Sequence, residues 1–140
     1  MDVLFLVGRF CFGLMFVRSA IFGHFRSYRS MAGYAAAKKI PMPGAAVLLS
    51  GVVILLGGLG IMLGAWADLA AIMLAVFLFA TTFLIHNFWT IPKGEGMARM
   101  QDRIQFEKDL SLFGASLIVF AVVAFGGELG PSLTAPLFDL

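Results

Sequence analysis

Apolar positions run along this chain in long, nearly unbroken stretches, with no strand-like alternation. A membrane-spanning helix needs about 20 mostly apolar residues. Four stretches approach that length: 3–22, 45–66, 68–89 and 110–127. Arg9 and Arg18 interrupt the first, the second has no charge, and the third is charged at Asp68 alone and carries His86 near its end. Helices satisfy their own backbone polar groups, so such stretches cross lipid as helices. The pattern predicts an all-α, integral membrane four-helix bundle, one domain over 1–140. A short interfacial helix over 28–39 is expected between spans 1 and 2, with Lys38 and Lys39 at the end its dipole favours. Ile40-Pro41-Met42-Pro43-Gly44 then stops it. Residues 90–109, with Met97, Met100, Ile104 and Phe106 among mixed charges, read as a connection holding a second interfacial helix. The tail after Gly126-Gly127 contains Pro131 and Pro136 and is expected to be irregular. The first stretch opens on Asp2 instead of a basic run, so it reads as a retained helix and not a signal peptide.

Small residues decide helix packing in lipid, where no hydrophobic drive acts between helices. On the second stretch Ser50, Gly57 and Gly64 share one line with Gly60 beside it, and Gly51, Gly58 and Ala65 form the adjacent line. These faces serve packing within the chain, or a homo-oligomer through Ser50, Gly57, Gly60 and Gly64. On the third stretch Asp68, Thr82 and His86 fall on one side, a polar stripe expected to look into the bundle.

Composition sharpens this picture. Apolar residues make up 61% and charged residues 13% of the 140 positions, against roughly 45–50% and about 25% in soluble domains. A chain this small cannot hide that much apolar surface from water, which excludes a soluble globular enzyme, a disordered tail and a nucleic-acid-binding domain. Eight lysines and arginines lie in the connections 23–44 and 90–109 and none in the N-terminus, the second turn or the C-terminal tail. By the positive-inside rule the long connections are expected in the cytoplasm and both termini outside.

Few residues could carry chemistry. Arg9 lies about 9 Å into the first span at the α-helical rise, deep enough to need a partner. Of the outer-side acids Asp2, Asp68, Glu128 and Asp139, Asp68 is the expected one. Arg18 can snorkel to headgroups. His24 and His86 should both lie at the cytoplasmic interface, with Phe22, Phe25, Phe88 and Trp89 near them. They read as interfacial anchors, as a quinone or lipid site in which an imidazole donates to a carbonyl, or as ligands to a metal or haem iron. With no further ligands in the sequence, no metal is expected. The single cysteine, Cys11, excludes a two-thiol relay.

These residues resemble the DoxX family of small four-helix membrane proteins. Gly8-Arg9-Phe10, Gly13-Leu14-Met15-Phe16 and Ser19 are similar to its first helix, and His24-Phe25 to the pair that follows in one branch. Met31-Ala32-Gly33-Tyr34-Ala35-Ala36 through Ile40-Pro41-Met42-Pro43 resembles its amphipathic connection. Leu49-Ser50-Gly51, Leu55-Leu56-Gly57-Gly58-Leu59 and Leu63-Gly64 resemble the second helix, and His86-Asn87-Phe88-Trp89 the end of the third. Gln101, Phe106, Lys108, Leu110 and Gly114 resemble the start of the fourth. The resemblance implies a bundle in the bacterial cytoplasmic membrane, a redox or quinone-linked role, and partner subunits. Relatives include the membrane subunit of a thiosulfate:quinone oxidoreductase, and others are linked to thiol redox balance. The chain departs from the common pattern at Ile54, where many members carry a glutamate, at Asp68, where many are basic, and at Asp109, a frequent asparagine.

The reading that follows is an accessory subunit of a larger respiratory or photosynthetic electron-transfer assembly. It would lack independent catalytic activity, hold no covalent cofactor, contact other membrane subunits and lipids, and offer a quinone or lipid site at Arg9, His24, His86 and Trp89. The alternatives are a quinone-reactive oxidoreductase subunit in its own right and a small transporter or lipid carrier. The chain lacks the inverted repeats and broken midplane helices usual for transporters.

Overall fold

The computed structural model describes residues 2–138 and 140; Asp139, one of the expected outer-side acids, lies outside them. The described residues are all-helical, without strands. Helix α1 (Asp2–Arg18) runs on into a π-helical segment, Ser19–Arg26. Helix α2 (Tyr28–Ala37), α3 (Pro43–Leu63), α4 (Ala67–Leu84) and α5 (Gly96–Ala124) follow. Three segments are long and apolar enough to cross a membrane: Asp2–Arg26, Pro43–Leu63 and Ala67–Thr90.

Two boundaries differ from the sequence reading. The first span does not end near Phe22, because the π-helical turns carry it to Arg26. The region 90–109 is not a long connection with its own interfacial helix. From Gly96 it is continuous with the fourth apolar stretch in one helix of 29 residues, about 43 Å long at the α-helical rise. No glycine or proline interrupts the chain between Gly96 and Asp109, so nothing there breaks the helix.

The helices adjoin in the order α1, α3, α4, α5, with α2 laid against α3. Helix α3 stands inside this row, and its glycines set the spacing. A Cβ on Gly58 would lie 2.8 Å from the Gly13 carbonyl oxygen of α1. On the other side, Cβ atoms on Gly57 and Gly60 would lie 2.7 Å from Leu74 and 2.6 Å from Ala70 of α4. Gly64 ends α3 in the left-handed region at φ 64°, the usual glycine C-cap. Gly57, Gly60 and Gly64 are therefore buried against their own chain, the packing within the chain that the sequence offered for this face. Behind them Phe16, Ala20, Ile54, Ile61, Ala71, Leu74 and Leu78 form the core.

At one end, the N-terminus, the α3–α4 turn and the C-terminal tail meet. Leu133 and Thr134 donate their backbone N–H groups to the Gly64 carbonyl, and Trp66 N–H donates to the Thr134 hydroxyl at 2.8 Å. At the other end, α2, the end of α4 and the start of α5 meet.

Gly58→Leu is expected to force α1 off α3 and cost about 1–3 kcal/mol, the usual range for overpacking. The check is the melting temperature in detergent, against a Gly94→Leu control, where a Cβ meets nothing within 4 Å.

Candidate functional site

The largest concentration of buried polar groups lies where α4 gives way to α5. Asp102 and Asp109 are seven residues apart, two turns on one face of α5. Both are buried. The chain leaves α4 at Ile85, and His86 N–H donates to the Thr81 carbonyl at 3.0 Å. This places the imidazole between the two acids. Nδ1 lies 3.1 Å from an Asp102 oxygen and Nε2 lies 3.6 Å from an Asp109 oxygen. Neutral imidazole donates from one nitrogen, and imidazolium from both. The ring is therefore seated against both carboxylates, within hydrogen-bond distance of Asp102 and just beyond it from Asp109.

Lys38, at the end of α2, closes the cluster. Its ammonium donates to Asn87 Oδ1 at 2.9 Å and to Asp102 at 3.1 Å. An ammonium carries three N–H donors, so one remains. Thr81 donates to Asp109 at 3.2 Å, and Lys108 Nζ lies 3.4 Å from the same carboxylate. Buried carboxylates are tolerated when charges and hydrogen bonds compensate them, and here lysines, histidine and hydroxyl do so. Tyr34 of α2 faces Asp102. Burial, then the Asp102 charge and their hydrogen bond, raise its phenol above the ordinary value of 10.0.

A cleft of about 540 Å³ opens on this cluster, lined by Tyr34, Lys38, His86, Gln101, Asp102 and Gln105 among others. Beside it is an aromatic wedge. Phe106 of α5 makes edge contacts with Phe83, Phe88 and Trp89 at centroid distances of 5.7, 5.4 and 5.7 Å. Trp89 remains half exposed.

The four residues singled out from sequence do not converge. His86 and Trp89 both pack on the 102–109 segment of α5. His24 does not join them. It is buried in the π-helical segment, its Nδ1 3.2 Å from the Ser19 carbonyl and its ring 6.0 Å from Phe77. Arg9 lies at the opposite end of α3. Its Nε donates to the Ile61 carbonyl at 2.8 Å and Nη2 to Met62 at 3.2 Å. Nη1 donates to the Leu129 and Pro131 carbonyls at 2.9 and 2.7 Å.

The expected Arg9–Asp68 ion pair is absent. A helix C-terminus presents orphan carbonyls with partial negative charge, and those of α3 take the guanidinium. Asp68, at the start of α4, accepts the Leu137 and Phe138 amides at 2.7 and 2.6 Å. Both charges thus hold the tail, separately. Asp102, Asp109, Lys38 and Tyr34 were not singled out from sequence. The spacing of the two acids around Phe106 was the available signal, hidden because the segment read as a connection.

Arg9→Met is expected to leave several carbonyls unpaired, costing about 2–4 kcal/mol, and to expose residues 128–138 to limited proteolysis. Asp102→Asn should lower Tyr34 toward its ordinary value. Raised in the fold, Tyr34 contributes stability that is complete below pH 10 and is lost as pH climbs through its folded value. Tyrosinate absorbance of Tyr28→Phe protein, with and without Asp102→Asn, measures the shift, and the loss of stability above pH 10 should be shallower in the variant.

No curated protein and no solved structure matches this chain. A sequence model of the DoxX family matches residues 4–87, from the first turn of α1 to Asn87, one residue past His86. The match takes in more than half of the chain, and with three apolar helices long enough to span lipid the protein is a multi-pass membrane protein that belongs to the DoxX family.

Proposed function

We propose that this protein is an accessory membrane subunit of an electron-transfer assembly and that the cleft beside His86 takes a quinone headgroup. The observation that carries the reading is the imidazole seated between two buried carboxylates at the mouth of that cleft. Reduction of a quinone consumes two electrons and two protons, and the electrons would come from a redox centre on a partner subunit. This chain's residues handle the rest. The spare Lys38 N–H suits a carbonyl oxygen. The Asp102–His86–Asp109 row can receive or deliver a proton beside it. Ile91, Ala98 and Ile104 of the lining offer an apolar wall for a ring. The cleft falls within the usual 300–1,000 Å³ range of small-molecule sites. Neither Arg9 nor His24 takes part in this reading, since each is engaged elsewhere.

The same reading places the protein in the bacterial cytoplasmic membrane with α5 as a fourth span. The apolar stretch 110–127 crosses the bilayer while 96–109 and α2 lie at the cytoplasmic surface, and both termini lie outside. The eight cationic residues at the α2–α5 end support this orientation.

Protein purified in mild detergent should carry a redox partner subunit and bind a short-chain ubiquinone analogue. Lys38→Met should weaken that binding about tenfold, the worth of one charge-assisted hydrogen bond. Purification alone, with equal affinity in wild type and variant, would refute the proposal.

A further inference from the structure

Between Asp2 and Asp68 the chain has no acidic residue, yet that stretch carries Arg9, Arg18, Arg26, Arg29, Lys38 and Lys39. Arg9 is satisfied by carbonyls and Lys38 by Asp102. Arg18 and Arg26 are exposed, and among the described residues neither lies within ion-pair distance of a carboxylate. Both guanidinium groups nonetheless converge on one ring. They lie 5.8 and 5.9 Å from the centroid of Phe22, a cation–π arrangement that keeps two like charges within reach of one ring, no more than about 12 Å apart. Positions 18, 22 and 26 meet at one ring, so they share one stripe along this end of the helix. Up the same stripe, toward the middle of the span, Leu14 and Phe10 are exposed apolar residues.

This face has two chemistries in series: a pair of planar, bidentate donors at the helix end, and an apolar track running from it into the membrane. We propose that Arg18 and Arg26 clasp the phosphate of one anionic phospholipid, whose acyl chain lies along Phe22, Leu14 and Phe10. The guanidinium fork matches phosphate geometry better than an ammonium does. The bound phosphate would relieve the repulsion between the two cations, which no side chain of the described chain relieves. The site is separate from the His86 cleft, none of whose lining residues it shares.

Native mass spectrometry of the delipidated protein with added phosphatidylglycerol or phosphatidylcholine tests this. Wild type should retain phosphatidylglycerol preferentially. Arg18→Gln/Arg26→Gln should lose it about a hundredfold, from about tenfold per charge-assisted hydrogen bond. Arg29→Gln/Lys39→Gln, which removes two exposed cations away from the ring, should retain it. Equal loss in that control pair would make the effect a diffuse surface field, and equal retention of phosphatidylcholine would remove the role of charge; either overturns the proposal. So does complete displacement of the lipid by millimolar inorganic phosphate, which would mark a free-anion site. Should the double glutamine variant fail to fold, Phe22→Ala carries the test, with about a threefold loss expected and an unchanged affinity overturning the proposal.

Discussion

The close approach of backbones along α3 is the constraint on which the rest depends. In lipid, helices gain nothing from hiding apolar surface from each other, so contact distance decides whether they associate. Gly58 lets α1 in on one side while Gly57 and Gly60 let α4 in on the other. With α4 held there, its far end meets α5 and α2, and three elements can bring His86, Asp102 and Lys38 together. Larger side chains on α3 would part these helices long before they disturbed any hydrogen bond at the polar end.

The two ends of the structure handle charge in different ways. At the tail end, single charges meet backbone dipoles: Arg9 takes carbonyls and Asp68 takes amides. Such pairings stabilise geometry and leave little to titrate or exchange. At the α2–α5 end, charges meet other titratable side chains, so protons have alternative places to be. Among the described residues, one Asp68 oxygen is buried without a hydrogen-bond partner. That contrast is why chemistry is assigned to one end and architecture to the other.

Much of this was legible in the sequence. The apolar stretches gave the long helices, the α2 helix was expected almost at its observed bounds, and the inward stripe of Asp68, Thr82 and His86 is buried as expected for Asp68 and Thr82 and nearly so for His86. Three things were not legible. The π-helical turn of Ser19–Arg26 has no residue signature, because it depends on how α1 meets α3. The partner of Arg9 was sought among acids, whereas helix-end carbonyls carry no side-chain letter to read. Asp102 and Asp109 looked solvated because mixed charges surround them, and only the continuity of α5 turns them to one face.

The pairing of Arg9 and Asp68 with the tail also bears on the order in which the molecule can be made. Arg9 and Asp68 precede the tail in the chain, yet most of the groups that satisfy them lie between Leu129 and Phe138. Until that segment has been made and docked, a guanidinium and a carboxylate stay in need of water or of a helper that supplies hydrogen bonds. The bundle therefore matures through a late docking step of residues 129–138, and a chain cut before them would present two charged lesions to membrane quality control.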